Sequence, residues 1–337
     1  MNSENKYSKK QNSSASPDFF IVGSGRSGTT LFKVLLSRLE EFDVPDESSF
    51  VVRSYYRLGK LTDFTIEDYQ FAARKFCEWS IDSWGLQEAD IVNHLAKGKP
   101  NSYKELNDMI YGLYYQDKIR PMKWGIKKPI FIIQLKRLMR IYPNTPIIHV
   151  VRDVRDTYLS FKTLHNRKDV RSFGPKSCIT VALYWRYGLK CYKIIPNKFK
   201  KEIKYENLIT DPNKCIEDLL NFFAMNGSIY EKKLDFDSNY KNQNLSVGGG
   251  LLDTIHEKLK GPIDSKNKNK YLKAMKPWQI FVVELICADY LEKYGYRLKY
   301  PFLLNNALRP FRFICECATG AFYQTRYFLR DYKVSKS

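Results

Sequence analysis

The chain lacks any apolar run long enough to cross a bilayer, since no stretch approaches the roughly 18 uncharged apolar residues that a spanning helix needs. Its first residues, MNSENKYSKKQNSSASP, also lack the apolar segment of a secretory signal peptide. They are polar and charged, so we predict a flexible leader over residues 1–17. These absences favour a cytoplasmic protein, and they leave open a peripheral contact with the inner face of the membrane.

Cysteine spacing is equally uninformative about metals or cross-links. The seven cysteines form an odd set without the spacing of a zinc ribbon or a small disulfide framework. We interpret them, including Cys315 and Cys317 in the segment CEC, as free thiols in a reducing compartment. The sequence therefore predicts no metal site.

Acidic residues are in the minority. There are 56 Lys and Arg against 36 Asp and Glu, giving a net charge of +20. This excess predicts an anionic partner: nucleic acid, lipid headgroups, acidic glycans or a multiply charged nucleotide. The chain contains no helix-turn-helix, zinc-finger or RNP-type signature, so we expect no specific nucleic-acid binding.

Strand-like and helix-like segments alternate along the chain. FFIVG, PIIHVVRD and KEIKYENL read as strands, and TLFKVLLSRL, TYLSFKTL and DPNKCIEDLLNFFAM follow them as helices. This order is typical of parallel βαβ units. We predict an α/β fold of the P-loop type, with three α/β/α layers around a central parallel sheet.

Three further segments complete the predicted organisation. Residues 63–118 have apolar side chains at helical spacing, which predicts a helical insertion on the substrate side of a main domain spanning residues 18–300. After residue 230 the pattern weakens, and we predict a long mobile loop. Residues 301–337 form a basic, aromatic C-terminal extension, either a packed helix or a surface for a membrane or a partner.

The segment GSGRSGTTLF joins the first strand to the first helix. Its glycines permit a tight turn that exposes backbone N–H groups at the positive end of the helix, a site suited to phosphate. Gly23 and Gly28 match the frame G-x-x-x-x-G, yet Thr29 stands where a nucleotide triphosphatase has lysine. Arg26 offers a fixed charge instead, so a P-loop kinase or NTPase is the less favoured interpretation.

A second motif, IIHVVRDVRDTYLSF, places Arg152 at the end of a strand and Ser160 eight residues later. With the loop, it resembles the sulfotransferases of the carbohydrate and tyrosylprotein branches, whose motifs are GxxRSGTTL and R-D-P-R-D-xxx-S; Val154 replaces the proline. The resemblance implies the donor 3′-phosphoadenosine 5′-phosphosulfate (PAPS), its product 3′-phosphoadenosine 5′-phosphate (PAP), and no requirement for a metal.

Other segments extend the resemblance as far as residue 297. KWGIKKP is similar to WGxKTP, KYENLITDP to RYEDLxxDP, and KGPIDSKNKNKYLKAM more loosely to KPxNxxxLSKW. The resemblance implies that Tyr205 lies beside the adenine of the donor. We expect Arg155 and Asp156 to shape the start of the helix without touching the donor. The implied donor-binding residues are Gly25, Arg26, Ser27, Gly28, Thr29, Thr30, Arg152, Ser160, Tyr205, Asn269 and Lys270.

For the catalytic base, VPDESSF offers Asp46 and Glu47, and the resemblance favours Glu47. Arg26 is the expected catalytic cation beside it. His165 and His256 are candidates for a base as well, because they lie in less regular segments that could line the acceptor groove, but they are less favoured than Glu47. His149, inside the apolar strand IIHVV, is expected to be a core residue, and His94 has no partner motif.

We therefore predict in-line transfer of a sulfuryl group from PAPS to an acceptor hydroxyl, with Glu47 as general base. The favoured acceptor is a carbohydrate or a lipid-linked saccharide, because an aromatic-rich, basic chain suits sugar stacking and anionic glycans. A peptide tyrosine or a small alcohol stays open. The alternatives are a P-loop kinase or NTPase, or a non-catalytic basic module that binds an anionic glycan or lipid.

Overall fold

The structure is a computed structural model that describes residues 16–80, 84–116, 118, 121–168, 173–225 and 263–335. The predicted leader lies almost entirely outside this part of the chain. So does most of the predicted loop after residue 230, together with His256.

A parallel sheet forms the centre of the described chain. Its strands are β1 (Phe19–Gly23), β2 (Phe42–Asp43), β3 (Lys123–Lys127), β4 (Ile147–Val151) and β5 (Lys200–Lys204). The order across the sheet is β2-β3-β1-β4-β5, and Phe20 of β1 lies opposite Ile126 of β3 and Ile147 of β4. Because β1 is central, the segment that follows it emerges in the middle of the sheet edge.

Both faces of the sheet are covered, as the fully buried strands β1 and β4 require. Phe20 and Val22 pack into one apolar cluster, whereas Phe19 and Ile21 point to the opposite face and pack into another. The alternation is the period of two that a strand imposes. The predicted three-layer α/β/α fold with a central parallel sheet is confirmed.

Helices make up most of the rest. Those before β4 are α1 (Thr29–Leu36), α2 (Phe50–Arg53), α3 (Tyr55–Leu58), α4 (Ile66–Trp79), α5 (Glu88–Gly98), α6 (Tyr103–Tyr114) and α7 (Leu135–Ile141). Those after it are α8 (Val154–His165), α9 (Cys178–Tyr192), α10 (Tyr205–Thr210), α11 (Pro212–Phe222), α12 (Tyr271–Ala274), α13 (Pro277–Lys293) and α14 (Arg309–Ser335), which we call the C-terminal helix. Short 3₁₀ turns cover Pro129–Ile133, Asn197–Phe199, Pro301–Leu304 and Asn306–Leu308. None of the helices in the described ranges is both long and apolar enough to span a membrane.

The segment expected to be an insertion contains α4, α5 and α6. Thr65 caps α4 with a reciprocal pair of hydrogen bonds to Asp68, which fixes where this helix begins. Tyr111 of α6 then packs against Trp124 of β3, with ring centroids 5.3 Å apart. The three helices thus lie against the β2–β3 side of the sheet.

One strand is shorter than the sequence suggests. KEIKYENL reads as a single strand, but β5 ends at Lys204 and α10 begins at Tyr205. Parallel strands in α/β folds are commonly followed by a helix within a few residues. As a result, Tyr205 lies at the carboxyl edge of the sheet and not within it.

Candidate active site

The residues singled out by the motifs follow neighbouring parallel strands, so they meet at one edge of the sheet. Glu47 follows β2, Lys127 ends β3, the glycine-rich loop follows β1, Arg152 follows β4 and Tyr205 follows β5. This carboxyl edge is where open α/β sheets bind their ligands. The strand order places the loop in the middle, with Glu47 and Lys127 on one side of it and Arg152 and Tyr205 on the other.

The loop after β1 is held open by two glycines that nothing larger could replace without movement. A Cβ at Gly23 would lie 2.6 Å from Ser27 Oγ and 2.7 Å from the carbonyl oxygen of Val150. Gly28, with φ of 99°, is in the left-handed region, and a Cβ there would lie 2.3 Å from the ring of Tyr205. Gly28 is also the N-cap of α1, so the amides of Thr29 and Thr30 are among those that the helix leaves without internal partners.

Arg26 and Ser160, taken from the two separate motifs, are in direct contact. Arg26 Nε donates a hydrogen bond to Ser160 Oγ at 3.1 Å, although 134 residues separate them in the chain. Burial, together with the nearby cations Arg152 and Arg167, lowers the pKa of Arg26 to about 10. A cluster of like charges that depresses a guanidinium pKa favours an anion among them.

Arg152 lies across the ring of Tyr205, with its guanidinium carbon 4.2 Å from the ring centroid. Its Nη2 donates to the carbonyl oxygen of Asn267 at 3.0 Å, while its Nε is buried and without a hydrogen-bond partner among the described residues. The hydroxyl of Tyr205 accepts a hydrogen bond from Asn267 at 2.6 Å. A buried cationic donor without a partner is a position where an anion fits.

The late-loop residues expected near the phosphate are placed unequally. Lys270 lines the cavity described below, and its ammonium is 3.8 Å from Asp264. Asn269 does not line it; with φ of 58° it occupies the left-handed region that Asn tolerates and turns the chain into α12. The asparagine that contacts Arg152 and Tyr205 is Asn267.

Glu47 is held by two lysines that follow one another at the end of β3. Lys127 pairs with one carboxylate oxygen, and Lys128 Nζ donates to the other at 2.7 Å. Burial alone would raise the pKa of Glu47, but the two ammonium groups outweigh it and hold this pKa well below its usual range. Lys127 is itself buried, which lowers its own pKa, and its Nζ is 3.3 Å from Thr30 Oγ1.

The neighbouring carboxylate turns away from this site. Asp46 forms an ion pair with Lys33 of α1, whereas Glu47 faces the cavity. The expected insertion braces this segment: Trp84 Nε1 donates to the carbonyl oxygen of Asp46 at 3.0 Å, and Ser80 Oγ donates to Ser48 Oγ at 2.8 Å. The insertion therefore supports the backbone around Glu47 from behind.

The loop, Glu47, Lys128, Arg152 and Tyr205 open into a cavity of about 1210 Å³. The buried Tyr184 lies with them, beside Gly25 of the loop. The outer part is lined by aromatic and basic side chains, which are Phe173, Lys176, Phe322, Tyr323, Arg326 and Tyr327. No described residue of 63–118 lines it, so the wall expected from this segment is formed instead by α8, α9 and the C-terminal helix.

A family model described as "Sulfotransferase family" matches residues 17–226, more than half of the chain, including the loop and Arg152. The chain belongs to the sulfotransferase family. No curated relative matches its sequence.

Two solved structures share the fold of this sulfotransferase. The "Sulfotransferase Domain from the Curacin Biosynthetic Pathway" has a TM-score of 0.53 at 16% identity, and the match covers 85% of this chain and 100% of that one. The "Sulfotransferase Domain from the Synechococcus PCC 7002 Olefin Synthase" has a TM-score of 0.50 at 18% identity, covering 87% and 100%. At such identities, the likeness concerns the fold alone.

The described histidines of the sulfotransferase lie outside the cavity. His149 is buried in β4, its ring 4.7 Å from that of Tyr192 and its Nδ1 3.7 Å from Glu202. His165 is hydrogen-bonded through Nε2 to the carbonyl oxygen of Pro175 at 3.1 Å, and His94 lies on α5. Of the candidate bases named from the sequence that the structure describes, Glu47 is the one that lines the cavity.

Several residues of the site were not assigned from the sequence. Lys127 and Lys128 lie in KWGIKKP, and their position at the end of a strand was the available signal; Lys128 lines the cavity, and Lys127 is buried beside Glu47. Arg167, which lies just past α8, and the lining residues of the C-terminal helix had no motif to mark them. Arg155 forms buried ion pairs with Asp153 and Glu284, at the start of α8. Asp156 accepts a hydrogen bond from the amide of Tyr271, and it also lines the cavity, where the sequence placed only a role in shaping the helix start.

Proposed function

We propose that this sulfotransferase transfers a sulfuryl group from PAPS to an acceptor hydroxyl. The observation that supports this donor best is that two groups of residues suited to binding anions lie at one sheet edge. One is the loop with Arg26, and the other is Arg152 with Ser160 and Lys270. PAPS contains two phosphate groups on one nucleoside, at the 5′ and 3′ positions, and two such sites are what it needs.

The residues present fit this donor. The amides of Gly28, Thr29 and Thr30 and the guanidinium of Arg26 would hold the 5′-phosphosulfate, as expected of a glycine-rich loop at a helix start. Ser27, predicted from the sequence to bind the donor, is buried, and its amide donates to the carbonyl oxygen of Ser24 at 3.1 Å. The buried Nε of Arg152 and the hydroxyl of Ser160 would hold the 3′-phosphate. Tyr205 presents its ring between Gly28 and Arg152, where it would pack against the nucleoside. When bound, PAPS supplies the transferable sulfuryl group.

Lys127 and Lys128 stand where negative charge grows during transfer. Their ammonium groups lie beside Thr30 and Glu47, at the inner end of the cavity. Preorganised cations in a site of low water content stabilise developing anionic charge strongly. The Thr30 hydroxyl, held by Lys127, adds a donor on the same side.

Glu47 acts as the general base in this proposal. While both lysines hold it, its low pKa makes it a weak base. Lys127 and Lys128 can turn from Glu47 toward an anion in the cavity, and each lost contact raises the pKa of Glu47 toward its ordinary value. Glu47 then accepts the proton of the acceptor hydroxyl as that oxygen attacks in line.

The acceptor in this proposal is a carbohydrate or a lipid-linked saccharide. The outer cavity presents the rings of Phe173, Phe322, Tyr323 and Tyr327 together with basic side chains. Aromatic faces pack against the C–H faces of sugars, and flanking cations favour anionic saccharides. A cytoplasmic location agrees with the seven cysteines, all of them described and all free thiols.

Titration of the purified protein with PAP and with ATP tests the donor. We expect PAP to bind, and Arg152→Ala to weaken it by about 2–3 kcal/mol, or roughly 30- to 150-fold, because charge-assisted hydrogen bonds to the phosphate are lost. Arg140→Ala, which removes an exposed arginine of α7, is the matched control and should leave the affinity unchanged. ATP binding without preference for PAP would overturn the proposal in favour of a kinase-like site.

A further inference from the structure

The C-terminal helix has its polar side turned toward the protein. Arg312, Glu316 and Thr319 are buried, and Glu316 pairs with Arg186 of α9 at 3.0 Å. Arg312 donates to the carbonyl oxygen of Leu285 at 3.0 Å. Polar side chains and hydrogen bonds thus dock much of this helix on α9 and α13.

The opposite side of the same helix is apolar and exposed. Positions 311, 314, 317, 318, 321, 322, 325, 328 and 329 share this face at 3.6-residue spacing, and none of them is charged. Five large apolar side chains on it are 40% to 63% exposed: Phe311, Ile314, Phe322, Phe328 and Leu329. A surface helix of a globular protein normally turns such a face toward the core, so this orientation is reversed.

The exposed apolar face continues beyond the helix. The ring of Tyr56 on α3, itself 40% exposed, packs edge-on against Phe328 with centroids 5.8 Å apart. Arg326, beside this face, is exposed. An apolar stripe bordered by arginine is the arrangement of helices that lie in the membrane interface, where cations reach the headgroups.

We propose that the C-terminal helix lies flat on an anionic lipid bilayer, with Phe311, Ile314, Phe328 and Leu329 inserted among the lipids. Patches of large apolar side chains on a soluble surface mark interaction sites. The net charge of +20 favours an anionic surface. The same charge opposes the pairing of two copies through this face, because each copy would bring the same positive excess.

The cavity opens beside this helix. Phe322 is part of the exposed face and also lines the outer cavity, together with Tyr323 and Arg326 of the same helix. A helix resting on the bilayer would therefore bring the cavity mouth to the lipid headgroups. This inference about the acceptor rests on the proposed function. It selects a hydroxyl on a lipid-anchored molecule, which would enter the cavity while its lipid stays in the membrane.

Co-sedimentation of the full chain with vesicles tests the membrane contact. We expect binding to vesicles of phosphatidylcholine and phosphatidylglycerol, and much weaker binding to phosphatidylcholine alone. The double variant Ile314→Asp, Leu329→Asp should bind the anionic vesicles about tenfold or more weakly, because two inserted aliphatic side chains are replaced by charges that anionic lipids repel.

The matched control is the double variant Ile66→Asp, Met122→Asp. These side chains are each 52% exposed on α4 and just before β3, and the charge change is the same. The control should bind vesicles as the unmodified chain does. Equal binding by both double variants, or no binding by the unmodified chain, would overturn the proposal. So would a dimer, measured by analytical ultracentrifugation, that only Ile314→Asp, Leu329→Asp dissociates.

The donor site provides an independent readout. PAP affinity should be the same for the Ile314→Asp, Leu329→Asp chain and the unmodified chain, since neither residue lines the cavity. This also shows that the variant is folded. Failure to bind PAP in all chains would count against the proposed function, whereas failure to bind vesicles with PAP affinity intact would count only against the membrane contact.

Discussion

Lys127 at the end of β3 lies 3.3 Å from the hydroxyl of Thr30 in the first turn of α1. The glycine-rich loop has no lysine of its own, and this neighbouring strand brings one to the start of α1. The same lysine pairs with Glu47. One ammonium group therefore links the anion-binding loop to the candidate base.

Replacing Lys127 by Met should change how activity depends on pH. In the unmodified chain the pKa of Glu47 lies below its usual range, so Glu47 is ionised between about pH 5 and 8 and causes no loss of activity on the acid side. Removing one ammonium group raises that pKa, so turnover by Lys127→Met should fall earlier as the pH is lowered. The measurement is the pH profile of kcat/KM, which reports the groups of the free enzyme. Lys136→Met, at an exposed lysine of α7, should keep the original profile.

Glu47→Gln should separate chemistry from binding. The amide cannot accept the acceptor proton, so kcat should fall by about 10²- to 10⁴-fold. PAP affinity should change little, because the donor contacts arise from the loop and Arg152. Asp46→Asn is the matched control: it breaks the pair with Lys33 but leaves the cavity intact, and its kcat should stay near that of the unmodified chain. Equal losses in the two variants would remove Glu47 from the mechanism.

Gly28→Ala should abolish donor binding through a steric effect. The added Cβ would lie 2.3 Å from the ring of Tyr205, and the alanine backbone would have to keep a φ of 99°. Gly85→Ala is a useful comparison, since Gly85 also has a positive φ, of 62°, but has no atom within 4 Å of the added Cβ. Both variants should lose about 1–2 kcal/mol of folding free energy from the backbone strain. Thermal unfolding measures that loss, and PAP titration should show weakened binding only for Gly28→Ala.

Glu284→Gln should destabilise the whole fold. Glu284 is fully buried, pairs with Arg155, and accepts hydrogen bonds from the amides of Lys299 and Tyr300 at 3.0 and 2.9 Å. Asp153 still pairs with Arg155 in this variant, but the neutral amide removes one of its two charge partners and cannot accept both backbone hydrogen bonds, so a buried N–H loses its acceptor. We expect a loss of about 1–3 kcal/mol.

Urea unfolding is the measurement for this variant. Glu217→Gln serves as the comparison because Glu217 pairs with Lys214 at the surface, where such pairs contribute little. A Glu284→Gln chain as stable as Glu217→Gln would contradict the assignment of Arg155 and Glu284 as a structural pair.

Local motifs made the anion sites predictable from the sequence. Gly23, Arg26 and Gly28 lie within six residues, and Arg152 and Ser160 lie on adjoining elements, so local spacing together with the resemblance to sulfotransferase motifs identified them. Lys127 could not be assigned in this way, because its contact with Thr30 depends on β3 lying next to β1 in the sheet. Local sequence patterns do not predict the order of strands in a sheet.

Two other features depend on conformation beyond local spacing. The motif resemblance named Asn269 for the phosphate, but the left-handed backbone at Asn269 uses that residue for a turn, and Asn267 contacts Arg152 instead. The C-terminal helix was open to two interpretations because its composition mixes arginine and aromatic residues. Only the packing shows that its polar side faces inward.

The sheet edge gathers residues that the chain keeps far apart, from Gly25 to Lys270. Such a site exists only while all of its strands are assembled, so an anion bound there recognises the folded chain and not the unfolded one. By mass action, each tenfold rise in ligand above its dissociation constant adds about 1.4 kcal/mol to the stability of the folded state. The melting temperature of the core therefore reports ligand binding at this edge, and it keeps rising with ligand concentration after the site is filled.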